Sequence, residues 1–190
     1  MLKGKNVLLC VTGSIAAYKI AELASRLVKK HCNVDVIMTK NATNFINPIT
    51  FETLTGNKCI VDTFDRNFQF NVEHVSLAKK ADCVMVAPAS ADIIGKMANG
   101  IATTVLACRC KIMVSPAMNT NMYDNAIVQD NIKKLAHYGM EIIEPDSGYL
   151  ACGDTGKGKM PSPEVLEWYI LREIAKKKDM KGMNVCVTAG

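Results

Sequence analysis

Two short segments carry the residue types best suited to chemistry. Pro116-Ala117-Met118-Asn119 offers an amide just beyond an apolar run, and Ser147-Gly148-Tyr149-Leu150-Ala151-Cys152-Gly153 sets a thiol among small residues in a loop. Positions beyond the carboxyl end of an apolar strand are where an α/β sheet presents its ligand-binding groups. His74, upstream of both, adds an imidazole. An amide, a thiol and an imidazole at one site can hold a small polar substrate and move its protons, which one cysteine alone would not do. Each residue also has a plainer role. Asn119 suits a turn or a helix cap, His74 a surface or capping position, and Cys152 a small apolar filler.

Two strand-to-helix turns suggest an anion. Thr12-Gly13-Ser14-Ile15-Ala16 and Pro88-Ala89-Ser90-Ala91-Asp92 each place a hydroxyl at a helix start, where free amides and the helix dipole attract phosphate. Helix capping by Ser14 and Ser90 accounts for the same residues equally well. The dinucleotide pattern G-x-G-x-x-G is absent, and Thr39 and Lys40 stand where an acid would meet a ribose. A mononucleotide phosphate suits these turns better than a dinucleotide.

Alternating strand and helix patterns position these segments. Asn6–Thr12 is a near-continuous apolar run, the mark of a strand buried on both faces, and a helix follows with Ile20, Leu23, Ala24 and Leu27 at core spacing. Further strands are predicted at Val34–Met38, Ala81–Ala87, Lys111–Ser115 and Met140–Ile143, with a small edge strand at Cys59–Val61. Short helices are expected around Pro48, and residues 62–72 read as a loop before a helix through His74, Leu77 and Ala78. Helical segments are expected over about 91–107, one helix over about 121–138, a glycine-bearing loop from Pro145 to Pro161, and a last helix from near Pro163. Such alternation implies right-handed crossovers and a parallel sheet covered on both faces. The segment Met183–Gly190 repeats the opening pattern of apolar strand, Thr, then Gly. The expected organisation is therefore one domain over 1–178, then a linker and the cut-off first strand of a second domain over 179–190.

Composition narrows the function classes. An apolar share of 49% in 190 residues fits one globular domain, with no run long enough to span a membrane and no secretory signal, so a cytoplasmic protein with reduced thiols is expected. Cys108-Arg109-Cys110 is spaced too tightly for the usual zinc pairs, and no metal is expected. The net charge of +5 is mild, with tight groups such as Lys176-Lys177-Lys178 and no interleaved aromatics. A solvated helix end accounts for these groups better than nucleic acid does, and the charge is compatible with an anionic small substrate.

Taken together, these motifs resemble the homo-oligomeric flavin-containing cysteine decarboxylases. The resemblance runs from Thr12-Gly13-Ser14-Ile15-Ala16-Ala17-Tyr18-Lys19 to Met160. It includes Val72-Glu73-His74-Val75-Ser76, Pro116-Ala117-Met118-Asn119 and Ala151-Cys152-Gly153-Asp154-Thr155-Gly156 in the family's order. It is strongest to the branch acting on 4'-phospho-N-pantothenoylcysteine, which bacteria fuse to a phosphopantothenate–cysteine ligase. The resemblance implies a flavodoxin-like (Rossmann-type) three-layer α/β/α domain that binds FMN. It implies cofactor contacts from Gly13, Ser14, Ile15, Thr39, Ser90, Ala91, Asp92 and Ala117. Met118, Asn119, Ala151 and Cys152 would bind substrate, with His74, Asn119 and Cys152 catalytic. The implied reaction yields 4'-phosphopantetheine and CO₂ by way of thioaldehyde and enethiol intermediates, in coenzyme A biosynthesis. The implied assembly is a homo-oligomer built from trimers, a dodecamer. Thr103-Thr104 departs from the Asp/Asn pair usual in the family, at positions expected to support assembly and the site's framework.

Overall fold

A sheet covered on both faces needs strands that are apolar on both faces, and β1 (Asn6–Val11) meets that need with five buried residues out of six. The computed structural model describes residues 2–61, 76–101, 104–151, 153–176, 179, 182–184 and 186–188. Six strands form one sheet in the order β3-β2-β1-β4-β5-β6, every neighbouring pair parallel. They are β1, β2 (Asn33–Met38), β3 (Ile60–Val61), β4 (Cys83–Ala89), β5 (Lys111–Pro116) and β6 (Glu141–Ile142). This is the doubly wound order. Without the two-residue edge strand β3 it becomes the flavodoxin order. The fold expected from the sequence is the one observed.

Helices cover the two faces by alternation along the strands. Val7, Leu9 and Val11 of β1 pack with α1 (Tyr18–Lys29), α2 (Pro48–Thr55) and α6 (Pro163–Ile174). Leu8 and Cys10, pointing the other way, pack with α3 (Ala91–Ala98) and α5 (Ala126–His137). The α1 contribution is Ile20, Leu23, Ala24 and Leu27, all fully buried. Each such Leu or Ile contributes about 1.5–3 kcal/mol through removal from water. Because α1 and α3 leave neighbouring strands toward opposite faces, a crevice opens between the carboxyl ends of β1 and β4.

Two segments differ from expectation. The helix expected over about 121–138 is two, α4 (Thr120–Tyr123) and α5, because two asparagines each start one. Asn119 Oδ1 accepts from the Asn121 amide at 2.8 Å, and Asn125 Oδ1 from the Ile127 amide at 2.9 Å. The segment expected as a loop from Pro145 to Pro161 contains an antiparallel hairpin, β7 (Asp146–Tyr149) paired with β8 (Thr155–Lys159). Its strands are polar and glycine-bearing and lack the apolar alternation that marks a strand in sequence. Residues 76–80 are helical as expected, while His74 lies outside the described residues.

Candidate functional site

The residue that follows β1 carries a hydroxyl that ties the crevice together. Thr12 is 2% exposed, its Oγ1 donates to the Pro88 carbonyl at 2.6 Å, and it accepts from the Ser90 amide at 3.0 Å. One side chain thus fixes the end of β1 against the turn that follows β4. Three short-range caps then start helices around the same opening. Ser14 Oγ accepts from the Ala16 amide, Thr39 Oγ1 from the Ala42 amide, and Ser90 Oγ from the Ile93 amide. The capping role that the sequence leaves open for Ser14 and Ser90 is therefore filled.

Two cavities flank the Gly13-Ser14 turn. The first, of about 570 Å³, is lined by Gly13, Thr39, Ser90, Ala91 and Asp92, with Ile37, Ile93, Ile101 and Val105 as apolar walls. Gly13 is required there, since a Cβ would stand 2.9 Å from the Asn41 Cβ. The Asp92 carboxylate is paired with Lys96 Nζ at 2.9 Å and is largely exposed. Thr104 also lines this cavity, and Thr103 lies outside the described residues. Burial, with a lesser push from the charge of Cys110, raises the Cys10 thiol at the cavity's floor to about 12, so it stays protonated.

The second cavity, of about 620 Å³, is lined by Ser14, Ile15, Ala117, Met118, Asn119 and Ala151, and also by Lys19, Lys159 and Tyr149. The residues proposed from sequence as cofactor contacts thus divide between two adjoining spaces. The hairpin closes over the second. The Met118 amide donates to the Gly158 carbonyl at 3.1 Å, and the Asn119 Nδ2 donates to Asp154 Oδ2. The hairpin's tip is tightened by the Leu150 amide donating to the Asp154 carbonyl at 2.8 Å. Cys152 itself lies outside the described residues, but Ala151 and Asp154 on either side belong to this tip. The amide motif and the cysteine-bearing segment, far apart in sequence, are brought together.

The family model described as Flavoprotein matches residues 1–175. The chain belongs to that family. A curated relative, the coenzyme A biosynthesis bifunctional protein CoaBC of Bacillus subtilis, is 43% identical over 197 residues, which cover 100% of this chain and 48% of that protein. The chain thus spans about half the length of the relatives it matches. Among solved structures, a PPC decarboxylase mutant complexed with pantothenoylaminoethenethiol aligns with a TM-score of 0.76 and 26% identity, covering 90% of this chain and 99% of that one. The FMN binding protein AtHal3 aligns with a TM-score of 0.73 and 25% identity, covering 92% of this chain and 99% of that one. No helix of the described residues of this flavoprotein is long and apolar enough to cross a membrane.

Sequence reasoning missed several residues that shape the site. Thr12 reads as the last residue of a strand, and only its burial against Pro88 gives it the locking role. Asn41, which makes Gly13 obligatory, and Lys159, on an unrecognised strand, carry no local signal at all. Lys19 follows the first turn closely enough that its place on the exposed start of a helix beside the phosphate motif could have marked it.

Proposed function

We propose that this chain binds FMN and decarboxylates 4'-phospho-N-pantothenoylcysteine to 4'-phosphopantetheine and CO₂ in coenzyme A biosynthesis. The observation that carries the reading is the pair of adjoining cavities at the carboxyl edge of the sheet, one suited to a flavin and the other closed by a hairpin docked on the amide motif. The first fits the cofactor by its donor set: aliphatic walls for a flat ring system, and hydroxyls and helix-start amides for a phosphate. Gly13, Thr39, Ser90, Ala91 and Asp92 would hold it there, with Ser14, Ile15 and Ala117 completing contacts from the adjoining cavity. The two CoaBC and PPC decarboxylase resemblances support the substrate.

When bound, FMN supplies a reversible hydride acceptor, so the substrate's CH₂–SH can become a thioaldehyde whose C=S takes up the electrons left by CO₂. The chain's residues do the rest. Asn119 presents its amide to the substrate carboxylate or amide, in an orientation set by the Asn121 amide on its oxygen and by Asp154 on its nitrogen. Met118 and Ala151 flank the substrate. Cys152 delivers the proton to the enethiolate carbon as the thioaldehyde-derived product is reduced. His74 orients the substrate thiol or takes its proton at the oxidation stage. The hairpin excludes water from the reactive intermediates.

We assign residues 1–178 to this decarboxylase domain, and 179–190 to a linker and the opening strand of a fused ligase domain. We assign the assembly to a homo-oligomer built from trimers, a dodecamer. The test offers the purified protein phosphopantothenoylcysteine and a peptide ending in cysteine, and follows flavin absorbance and CO₂. A yellow protein releasing CO₂ only from the first is expected. Release only from the peptide, or a colourless protein that FMN does not reconstitute, overturns the reading. Cys152→Ser should stop at the oxidised enethiol with reduced flavin, while His74→Asn should give little CO₂.

A further inference from the structure

The second cavity holds positive charge that the proposed chemistry does not use. Lys19, in the first turn of α1, and Lys159, at the end of β8, both line it. Lys19 is half-buried, and its Nζ donates to the carbonyl of Met160, the residue next to Lys159, at 2.9 Å. That bond keeps the ammonium on the cavity wall. The Lys159 side chain lies across the hairpin, where a Cβ on Gly148 would meet its Cδ and its Nζ at 3.8 Å. Asp146, opposite Lys159 in the hairpin register, is an acid whose charge reaches Lys19. Neither lysine forms a salt bridge with a carboxylate among the described residues.

Burial, and after it the charge of Lys159, lowers the pKa of Lys19. Two ammonium groups at one partly desolvated opening repel each other, and an anion between them turns that repulsion into attraction. Ala117, Met118, Asn119 and Ala151 line the same cavity, and the cysteinyl end of the substrate is assigned to them.

We propose that Lys19 and Lys159, which line the same cavity as Asn119, form the subsite for the substrate's terminal phosphate. This rests on the decarboxylase reading and names the group that the site recognises. Lysine suits it as a point charge for a rotating phosphate. The substrate carries two anions, a carboxylate and a phosphate. The carboxylate leaves as CO₂, so the product isolates the phosphate.

The experiment measures calorimetric binding of 4'-phosphopantetheine and of pantetheine to the FMN-loaded protein, for the parent and for Lys159→Ala and Lys159→Arg. Lys159 is exposed on a hairpin edge, so its removal leaves the fold intact, and the flavin spectrum checks this. The parent should bind the phosphorylated ligand about tenfold more tightly than pantetheine. Lys159→Ala should remove most of that preference with pantetheine affinity unchanged, and Lys159→Arg should restore it. Lys19→Gln should act in the same direction. Equal weakening of both ligands, or no change in either, overturns the subsite. CO₂ release by the parent protein, measured in parallel, reports on the decarboxylase reading separately.

Discussion

Gly158→Ala should disable the hairpin without unfolding the domain. Gly158 has φ +138°, and a Cβ there would stand 2.3 Å from the Met118 carbonyl oxygen. Placing a side chain in that backbone region costs about 1–3 kcal/mol. Relieving the overlap moves β8 off the amide motif and breaks the bond from the Met118 amide to the Gly158 carbonyl, worth about 0.5–1.5 kcal/mol. A total near 3 kcal/mol corresponds to roughly a 150-fold loss of the docked hairpin. The hairpin is its own two-stranded sheet, so the six-stranded sheet and its cores keep their contacts. The assay is CO₂ release at varied substrate, with flavin absorbance and far-UV circular dichroism as controls. The expected result is a fall in kcat/KM of about a hundredfold with flavin content and secondary structure unchanged. A kcat/KM within about threefold of the parent would show that the docked hairpin does not need this close approach.

Two further outcomes follow from buried groups. Thr12→Val removes the hydroxyl that serves both the Pro88 carbonyl and the Ser90 amide, which should cost about 1–3 kcal/mol. At about 2–4 °C per kcal/mol for a chain of this size, Tm should drop by several degrees, and an unchanged Tm would remove Thr12 from the crevice's framework. Burial holds the thiols of Cys10 and Cys59 up at about 12 and that of Cys32 up at about 11, from 9.0. Folded values above unfolded ones mean that this stability is complete below about pH 9 and is lost as pH rises toward about 12. The urea midpoint in reducing buffer should therefore fall between about pH 8 and about pH 11, by less when Cys59 is replaced with alanine, and a flat midpoint would contradict the assignment.

Sequence alone determined the parallel sheet, because buried strands and amphipathic helices each write their own period into the chain. The runs at β1, β4 and β5 and the core spacing of α1 needed no partner to be legible. The Gly13-Ser14 and Ser90 turns were legible too, because a cap is a local hydrogen bond, and so was Asn119 beyond β5. Chain folding decided what distance in sequence hides. The hairpin β7–β8 exists because its polar strands pair with each other and rest on Met118, neither of which hydrophobic periodicity can record. The break between α4 and α5 came from competition between two nearby caps, where the apolar pattern ran on unbroken. Thr12 gained its role from a residue 76 positions away, and Gly13 became obligatory through Asn41 on the next strand's exit. Lys19 and Lys159 meet at one cavity only because α1 and the hairpin pack at the same edge of the sheet. Local periods and caps are written residue by residue, whereas a site's shape and charge are sums over segments that only the packed chain brings within a few ångströms.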